Sequence, residues 1–208
     1  MNFLHRLWIW CKRFRHRCGY GVHSPSDFFL ITSVIYESSP YYSYKTLRTT
    51  KFSANLPHYR RKVNRLLFRL VNYFRPKTFL EVGTGNGEAL AYMQAGCRVM
   101  DAFSIEGRQN PEETLRMLEE RLSAMRTIDC LHIAHTPFYK EVFRAALPYA
   151  GAKSCFIIGG IYDSKEKNAW WQEVKAHEST CITMDLYDIG LVFFDKARYK
   201  QHYIVNFL

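Results

Sequence analysis

Long apolar runs are missing from this sequence of 208 residues. No stretch approaches the ~20 residues that are needed to span a bilayer. The apolar part of the basic N-terminus, residues 7–11, is shorter than the roughly 7–15 residues of a signal-peptide core. We therefore expect a cytoplasmic protein. Its length suits one domain with room for an extension, and a hydrophobic content of 48% argues against wholesale disorder.

Cysteine pairs at metal-binding spacing are also missing. None of the six cysteines belongs to a C-x-x-C pair, so neither a zinc site nor a disulfide framework is indicated. Cys130, Cys155 and Cys181 lie in apolar runs, where buried thiols are common. We predict no metal site.

Acidic residues are scarce in the first 80 residues, where Asp27 and Glu37 stand against 15 Lys and Arg. The rest of the chain has 17 acids and 14 Lys and Arg, so the whole net charge of +10 originates in the N-terminal part. Such an asymmetry indicates an anionic partner at the basic N-terminal half, for example RNA or an acidic protein subunit.

Within that half, residues 2–18 carry apolar side chains at helical spacing among arginines. A basic helix with tryptophan suits a membrane surface or nucleic acid. We favour a simpler interpretation, in which the aromatic stripe docks on the domain and the arginines face solvent. Ser24 and Pro25 are a good start for a second helix. The side chains of this helix that should face the core are Phe28, Phe29, Ile31, Thr32 and Ile35. Residues 38–55 are predicted to be an irregular connector.

The most informative stretch is T-F-L-E-V-G-T-G-N-G-E-A, residues 78–89. It predicts a buried strand, then a turn with Gly83, Gly85 and Gly87, and then a helix. Backbone without Cβ atoms lets a ligand approach closely, and the start of a helix offers free N–H groups. A dinucleotide turn has its last glycine where Glu88 stands. A carboxylate there repels a pyrophosphate but not the sulfonium of S-adenosylmethionine (SAM), so an NAD-linked oxidoreductase is disfavoured.

A second strand is predicted over residues 98–105, and it ends at Glu106, 23 residues after Gly83. A Rossmann unit has the acid that accepts hydrogen bonds from ribose hydroxyls at about this distance. Glu81, at the end of the first strand, is a further candidate cofactor-site residue. The alternative is an ordinary tight turn between strand and helix, which also uses glycine.

The rest of the chain alternates between helices and strands. Residues 57–76 have an apolar face about three turns long, with Arg69 and other cations on the remaining faces. Two late strands are joined by a turn so short that it allows only an antiparallel hairpin. The fold class is therefore α/β, a Rossmann-like doubly wound sheet with a C-terminal antiparallel hairpin. Further helices are predicted at 111–125, 139–147 and 165–176, and further strands at 129–134, 154–158, 181–185 and 191–194.

Seven segments that cover most of the chain carry a resemblance to a known family. They are G-Y-G-V-H-S-P (19–25), L-L-F-R-L-V-N-Y-F-R-P-K-T (66–78), E-V-G-T-G-N-G (81–87), S-I-E-G (104–107), F-I-I-G-G-I-Y-D-S (156–164), W-W-Q-E-V-K (170–175) and I-T-M-D-L-Y-D-I-G-L-V-F-F (182–194). In combination they resemble the class I SAM-dependent methyltransferases, and more narrowly a bacterial branch common in Bacteroidetes. The resemblance implies a basic helical N-terminal cap over residues 1–56 and a SAM-binding Rossmann-like domain over 57–208. The expected cofactor-binding residues are Glu81, Gly83, Gly85, Gly87 and Glu106.

The sequence also departs from that family. Where the fourth strand of the family ends in an acidic I-D-G-N-H-like segment, residues 132–137 are H-I-A-H-T-P, and Gly159-Gly160 replaces a pair of aspartates after the fifth. Carboxylates there would be natural metal ligands or general bases, so we expect metal-independent chemistry. Only one helix fits between Glu106 and the strand at 129–134. The chain is therefore predicted to be one βα unit shorter than usual, without the third strand at the sheet edge.

Two functions remain open. The first is SAM-dependent methyl transfer to a small molecule or another acceptor, which orientation in a dry site can support. Its candidate catalytic residues are His135, Tyr162 and Asp163, near the expected strand ends. The second is a catalytically inactive, methyltransferase-like scaffold that binds an acidic partner such as RNA or a protein subunit.

Overall fold

A seven-stranded sheet forms the centre of the protein, in a computed structural model that describes residues 3–107 and 110–208. The strand order is β2-β1-β3-β4-β6-β5-β7. The strands are β1 (Thr78–Val82), β2 (Asp101–Ile105), β3 (Ile128–Ile133), β4 (Ala150–Gly159), β5 (Ile182–Asp185), β6 (Ile189–Phe193) and β7 (Gln201–Ile204). The α-helices are α1 (Phe3–Lys12), α2 (Pro25–Phe29), α3 (Tyr42–Thr49), α4 (Arg61–Phe74), α5 (Glu88–Gly96), α6 (Pro111–Ser123), α7 (Tyr139–Ala146) and α8 (Lys165–Ala176).

The topology confirms the predicted fold class. Strands β1 to β4 are parallel, and β6 is antiparallel to both β4 and β5, so β5 and β6 form the expected hairpin. A single helix, α6, links β2 to β3, and β2 is an edge strand of the sheet. The shortening of the sheet at this edge therefore agrees with the sequence prediction.

Two elements were absent from the prediction. Strand β7 adds to the opposite edge of the sheet, parallel to β5, with Ile182 opposite Gln201. Helix α3 lies inside residues 38–55, which we expected to be irregular. It forms because Tyr44 packs into an aromatic cluster with Phe68 and Tyr92, at ring-centroid distances of 5.0 and 6.1 Å. Tertiary packing here overrides a local sequence with weak helical character.

Helix α4 covers one face of the sheet and confirms its predicted apolar stripe. Its residues Val63, Leu66, Leu67, Leu70 and Val71 are all buried. The prediction for Arg69 was wrong, because this side chain is buried rather than on an outer face. It donates hydrogen bonds to the carbonyl oxygens of residues 34 and 35, at 2.7 and 2.9 Å. These carbonyls end the helical segment that continues α2 to Ile35, and carbonyls in the last turn of a helix lack partners within it.

Helix α2 begins as expected, because the Ser24 hydroxyl accepts a hydrogen bond from the Asp27 N–H and Pro25 occupies the first turn. The predicted core positions Ile31 and Ile35 are buried and Thr32 is partly exposed. The prediction was wrong for Phe28 and Phe29, which are 45% and 50% exposed. After α2 the helix widens into a π-helical segment, Leu30–Ile35. The wider turn changes which side chains point inward, so the core contacts begin at Leu30.

The prediction for helix α1 was wrong, because its arginine side packs on the domain and its apolar stripe does not. Arg6 and Arg13 face the body of the protein and pair with carboxylates of the hairpin, Asp188 and Asp185, at 2.7 and 2.8 Å. Asp185 is the last residue of β5, and Asp188 lies in the turn between β5 and β6. In the part of the chain that the structure describes, no helix is long and apolar enough to cross a membrane.

Candidate functional site

The glycine turn between β1 and α5 has the conformation that its sequence demands. Gly83, Gly85 and Gly87 have φ values of +88°, +67° and +80°, which residues with a Cβ rarely adopt. Gly87 is the residue that precedes α5. The predicted order of strand, turn and helix is therefore present.

The three glycines differ in what lies beside them. A Cβ at Gly83 would stand 2.5 Å from the Thr136 nitrogen, and one at Gly85 would collide with the Pro57 carbonyl oxygen. That carbonyl also accepts a hydrogen bond from the Asn86 N–H, at 3.0 Å. A Cβ at Gly87 would meet no atom within 4 Å. Backbone atoms of other segments thus pack directly against Gly83 and Gly85, and of the three glycines only Gly87 has open space beside it.

Glu106 lies at the carboxyl end of β2, which pairs directly with β1. The Gly83 N–H donates to the Ile105 carbonyl at 2.8 Å, so the glycine turn and the end of β2 are adjacent. Glu106 is exposed and helps to line an open cavity of about 590 Å³ at this edge of the sheet. The other lining residues are Ser104, Ile105, Gly107, Asn110, Glu113, Thr114 and Met117.

A chain of polar side chains lies in the core beneath the turn. Glu81 and His132 are opposite each other on β1 and β3, both are fully buried, and Glu81 Oε1 is 2.9 Å from His132 Nδ1. The Tyr59 hydroxyl is 3.1 Å from His132 Nε2. Burial, aided by the charge of Glu81, raises the pKa of Tyr59 well above its ordinary value. The Tyr59 hydroxyl therefore keeps its proton. It donates to Nε2 when the imidazole carries its hydrogen on Nδ1, the tautomer that donates to Glu81.

The second oxygen of Glu81, Oε2, is buried without a hydrogen-bond partner among the described residues. Such an atom is costly in a folded protein. Glu81 was expected to face a cofactor, and in this structure it is enclosed by its own chain instead. Oε2 is nevertheless able to accept a hydrogen bond from a donor that enters this space.

Tyr59 and His135 occupy the space where the carboxyl ends of β1, β3 and β4 meet. The Tyr59 ring lies 4.4 Å from the His135 ring, centroid to centroid. Its hydroxyl is packed so closely against Gly159 that a Cβ there would overlap it. Sequence reasoning missed Tyr59 and His132. The available signal was a polar residue in the middle of each of two apolar strands, Glu81 in β1 and His132 in β3.

The three candidate catalytic residues have different surroundings. His135 lies beside Gly85, whose Cβ would come within 2.9 Å of the imidazole ring. Tyr162 donates to Asp185 at 2.6 Å and accepts from Arg13 at 3.0 Å. Burial and the hydrogen bond to Asp185 raise the pKa of Tyr162 to about 12. The structure thus places Tyr162 in the contact that docks α1.

Asp163 follows the turn at Gly160, which has a φ of +61°. Its carboxylate packs against Gly160, where a Cβ would collide with it. Burial raises the pKa of Asp163 above its ordinary value, although nearby Lys167 opposes the shift. Among the described residues, no group of three or more His, Cys, Asp or Glu side chains is arranged to hold a metal ion.

The basic N-terminal half presents a second candidate surface. Several of its cations are used internally, as Arg6, Arg13 and Arg69 show. Two neighbouring cavities of about 300 and 460 Å³ are lined by further cations, and Arg69 borders both of them as well. The lining cations are Lys45, Arg48, Arg61, Lys62, Arg65 and Arg69, and Glu37 is the acid among them. We call this surface the basic groove.

The chain matches no family model and no curated protein. Its fold is similar to several solved structures. An O-methyltransferase from Bacillus cereus in complex with SAH is 14% identical, with a TM-score of 0.55, over 77% of this chain and 95% of that one. A methyltransferase from Geobacter sulfurreducens is 15% identical, with a TM-score of 0.54, over 77% and 91%. An SAH-bound methyltransferase from Podospora anserina is 11% identical, with a TM-score of 0.51, over 97% and 98%.

Proposed function

We propose that this protein binds SAM at the glycine turn and transfers its methyl group without a metal, in the cytoplasm. The observation that carries the proposal is the adjacency of the turn to Glu106 across neighbouring parallel strands. Open α/β sheets bind nucleotides at the carboxyl ends of their strands. The fold that this chain shares with SAH-bound methyltransferases supports the same assignment, and the sequence motifs favour the bacterial branch named above.

The nucleoside half of the cofactor fits the residues that are present. Glu106 would accept hydrogen bonds from the ribose hydroxyls, because it is exposed at the rim of the cavity beside β2. The open space next to Gly87 lets the ligand approach the backbone. Bound SAM would supply a methyl group on a sulfonium, which is already activated for transfer.

The methionine half requires a change in the chain. Pro57 and Tyr59 contact Gly85 and Gly159, where this half would lie. We infer that residues 53–60 move aside when the cofactor binds. Glu81 Oε2, buried and without a partner in the described chain, would then accept from the amino group of the cofactor. His135 is the candidate catalytic residue nearest to the turn, so it is the first choice for a general base.

Calorimetry with SAH tests the proposal on the full chain. Glu106→Gln is expected to weaken SAH binding at least about tenfold, because a hydrogen bond to a charged group contributes about 1.5–3 kcal/mol. The matched control is Glu112→Gln, an exposed acid on the same helix as the cavity residues but outside the cavity. Its affinity should equal that of the unmodified protein. Absence of binding at millimolar SAH would refute the proposal.

The same titration distinguishes a moving segment from a fixed one. Tyr59→Phe removes one of the hydrogen bonds that hold residues 53–60, the one between the Tyr59 hydroxyl and His132, and keeps the bonds from Asn86 to the carbonyl oxygens of residues 53 and 57. Since a net hydrogen bond contributes about 1 kcal/mol, the open form should become more populated and SAH should bind up to about fivefold more tightly. Weaker binding in this variant would mean that the hydroxyl contacts the cofactor instead, and the movement would be discarded.

The second candidate function is a catalytically inactive scaffold. It is favoured by Tyr59 and His135, which fill the strand ends, and by the missing carboxylates at Gly159 and Gly160. Under this hypothesis the basic groove binds an anionic partner, such as RNA. This hypothesis predicts that the protein does not bind SAH and that it binds RNA with an affinity that falls as the salt concentration rises.

A further inference from the structure

The docking of α1 turns its apolar side outward. Arg13 directly follows α1 and its N–H still donates to the Ile9 carbonyl oxygen, as in a helix. With about 3.6 residues per turn, Arg6 and Arg13 therefore lie on one side, and their pairs with Asp188 and Asp185 fix this side against the hairpin. Both ion pairs are largely shielded from solvent, so they hold the orientation of the helix. The opposite side must then face away from the protein.

That opposite side carries a continuous apolar stripe. Leu4, Leu7, Trp8 and Cys11 follow the i, i+3, i+4, i+7 spacing of one helix face, and Phe14 continues the stripe just beyond the helix. Their large side chains are 75% exposed at Leu4, 47% at Leu7, 51% at Trp8 and 55% at Phe14. A cluster of this kind on a surface marks an interaction site.

The charges around the stripe indicate which partner it meets. Residues 1–26 contain five Lys and Arg and no acid. Lys12 Nζ lies 3.6 Å from the centroid of the Trp8 ring, and Arg15 and Arg17 are exposed immediately after the helix. Tryptophan and basic side chains at the edge of an apolar face are typical of helices that lie in a membrane interface.

We propose that α1 is an amphipathic anchor that lies on an anionic lipid surface. Leu4, Leu7, Trp8 and Phe14 enter the boundary between headgroups and acyl chains, and Lys12 and Arg15 contact the headgroups. A second copy of the chain suits this face less well, because pairing the stripe would bring two sets of cations together without an acid. Nucleic acid would leave the aliphatic side chains unburied.

Vesicle flotation of the full chain tests the anchor. The protein should float with vesicles of phosphatidylcholine and phosphatidylglycerol, and much less with phosphatidylcholine alone. Leu4→Ser combined with Leu7→Ser should lower the partition coefficient at least about tenfold, because apolar burial drives insertion. Lys12→Ser with Arg15→Ser should lower it by about thirtyfold on the anionic vesicles, since both charges act near the surface.

Two controls distinguish binding through the anchor from non-specific hydrophobic binding and from the effects of misfolding. Val99→Ser with Tyr199→Ser removes apolar side chains that are 87% and 90% exposed elsewhere, and binding should be unchanged. Each variant should keep the thermal midpoint of the unmodified protein, because the side chains of the stripe are about half exposed or more and belong to none of the core clusters of the described residues. Undiminished flotation of the leucine variant would overturn the proposal. So would light scattering that finds, without lipid, a dimer that the leucine variant abolishes.

Discussion

Replacing His132 by alanine is expected to lower the free energy of unfolding by about 3–5 kcal/mol. His132 is fully buried and is the hydrogen-bond partner of both Glu81 and Tyr59. Its removal leaves two polar groups in the core without a partner, each costing about 1–3 kcal/mol, and adds a cavity. Urea unfolding monitored by circular dichroism measures the change.

Tyr59→Phe is the matched control for this experiment. It removes one hydrogen bond of the same chain and keeps the ring that packs on His135, so it should cost only about 1 kcal/mol. If His132→Ala also costs no more than about 1 kcal/mol, water solvates the pair and the enclosed arrangement of Glu81, His132 and Tyr59 does not exist in solution.

Gly83→Ala should lower the free energy of unfolding by about 3–5 kcal/mol, whereas Gly87→Ala should lower it by about 1–2 kcal/mol. Both positions have a positive φ near +80° to +90°, so both variants carry the same backbone penalty. Only at Gly83 would the new methyl group meet backbone, 2.5 Å from the Thr136 nitrogen. The additional clash is what separates the two variants.

The comparison is best made by thermal and urea unfolding of both variants in parallel. Gly87→Ala should also weaken SAH binding, because its methyl group would intrude on the open space that the cofactor is proposed to use. Equal stability losses for the two variants would contradict the close approach of Gly83 and Thr136 on which the description of the turn depends.

The sheet was predictable because its information is local. Apolar runs, turn glycines and the short link between β5 and β6 specify strands and their direction without reference to distant residues. The short link correctly predicted an antiparallel hairpin, and the single helix between β2 and β3 correctly predicted an edge at β2. Strand β7, Gln201 to Ile204, was missed because only Tyr203 packs against the core and its other residues are exposed, so no alternation of apolar and polar residues marks it.

The errors arise where distant charges decide the outcome. Helical spacing of apolar residues, as in α1, normally indicates a buried face. Here the ion pairs that Arg6 and Arg13 form with Asp188 and Asp185 turn the arginine side toward the protein instead. Arg69 is buried by the carbonyls of residues 34 and 35 for the same reason. The candidate site shows the same limit, because Tyr59 is 73 residues from His132 along the sequence. No local pattern connects them.

A crystal structure of the full chain with SAH tests the central claim most directly. The account predicts ribose hydroxyls within hydrogen-bond distance of the Glu106 carboxylate, and a Tyr59 hydroxyl that has left His132. A structure in which Tyr59 still fills the strand ends, with SAH bound away from Glu106 or not at all, would contradict it.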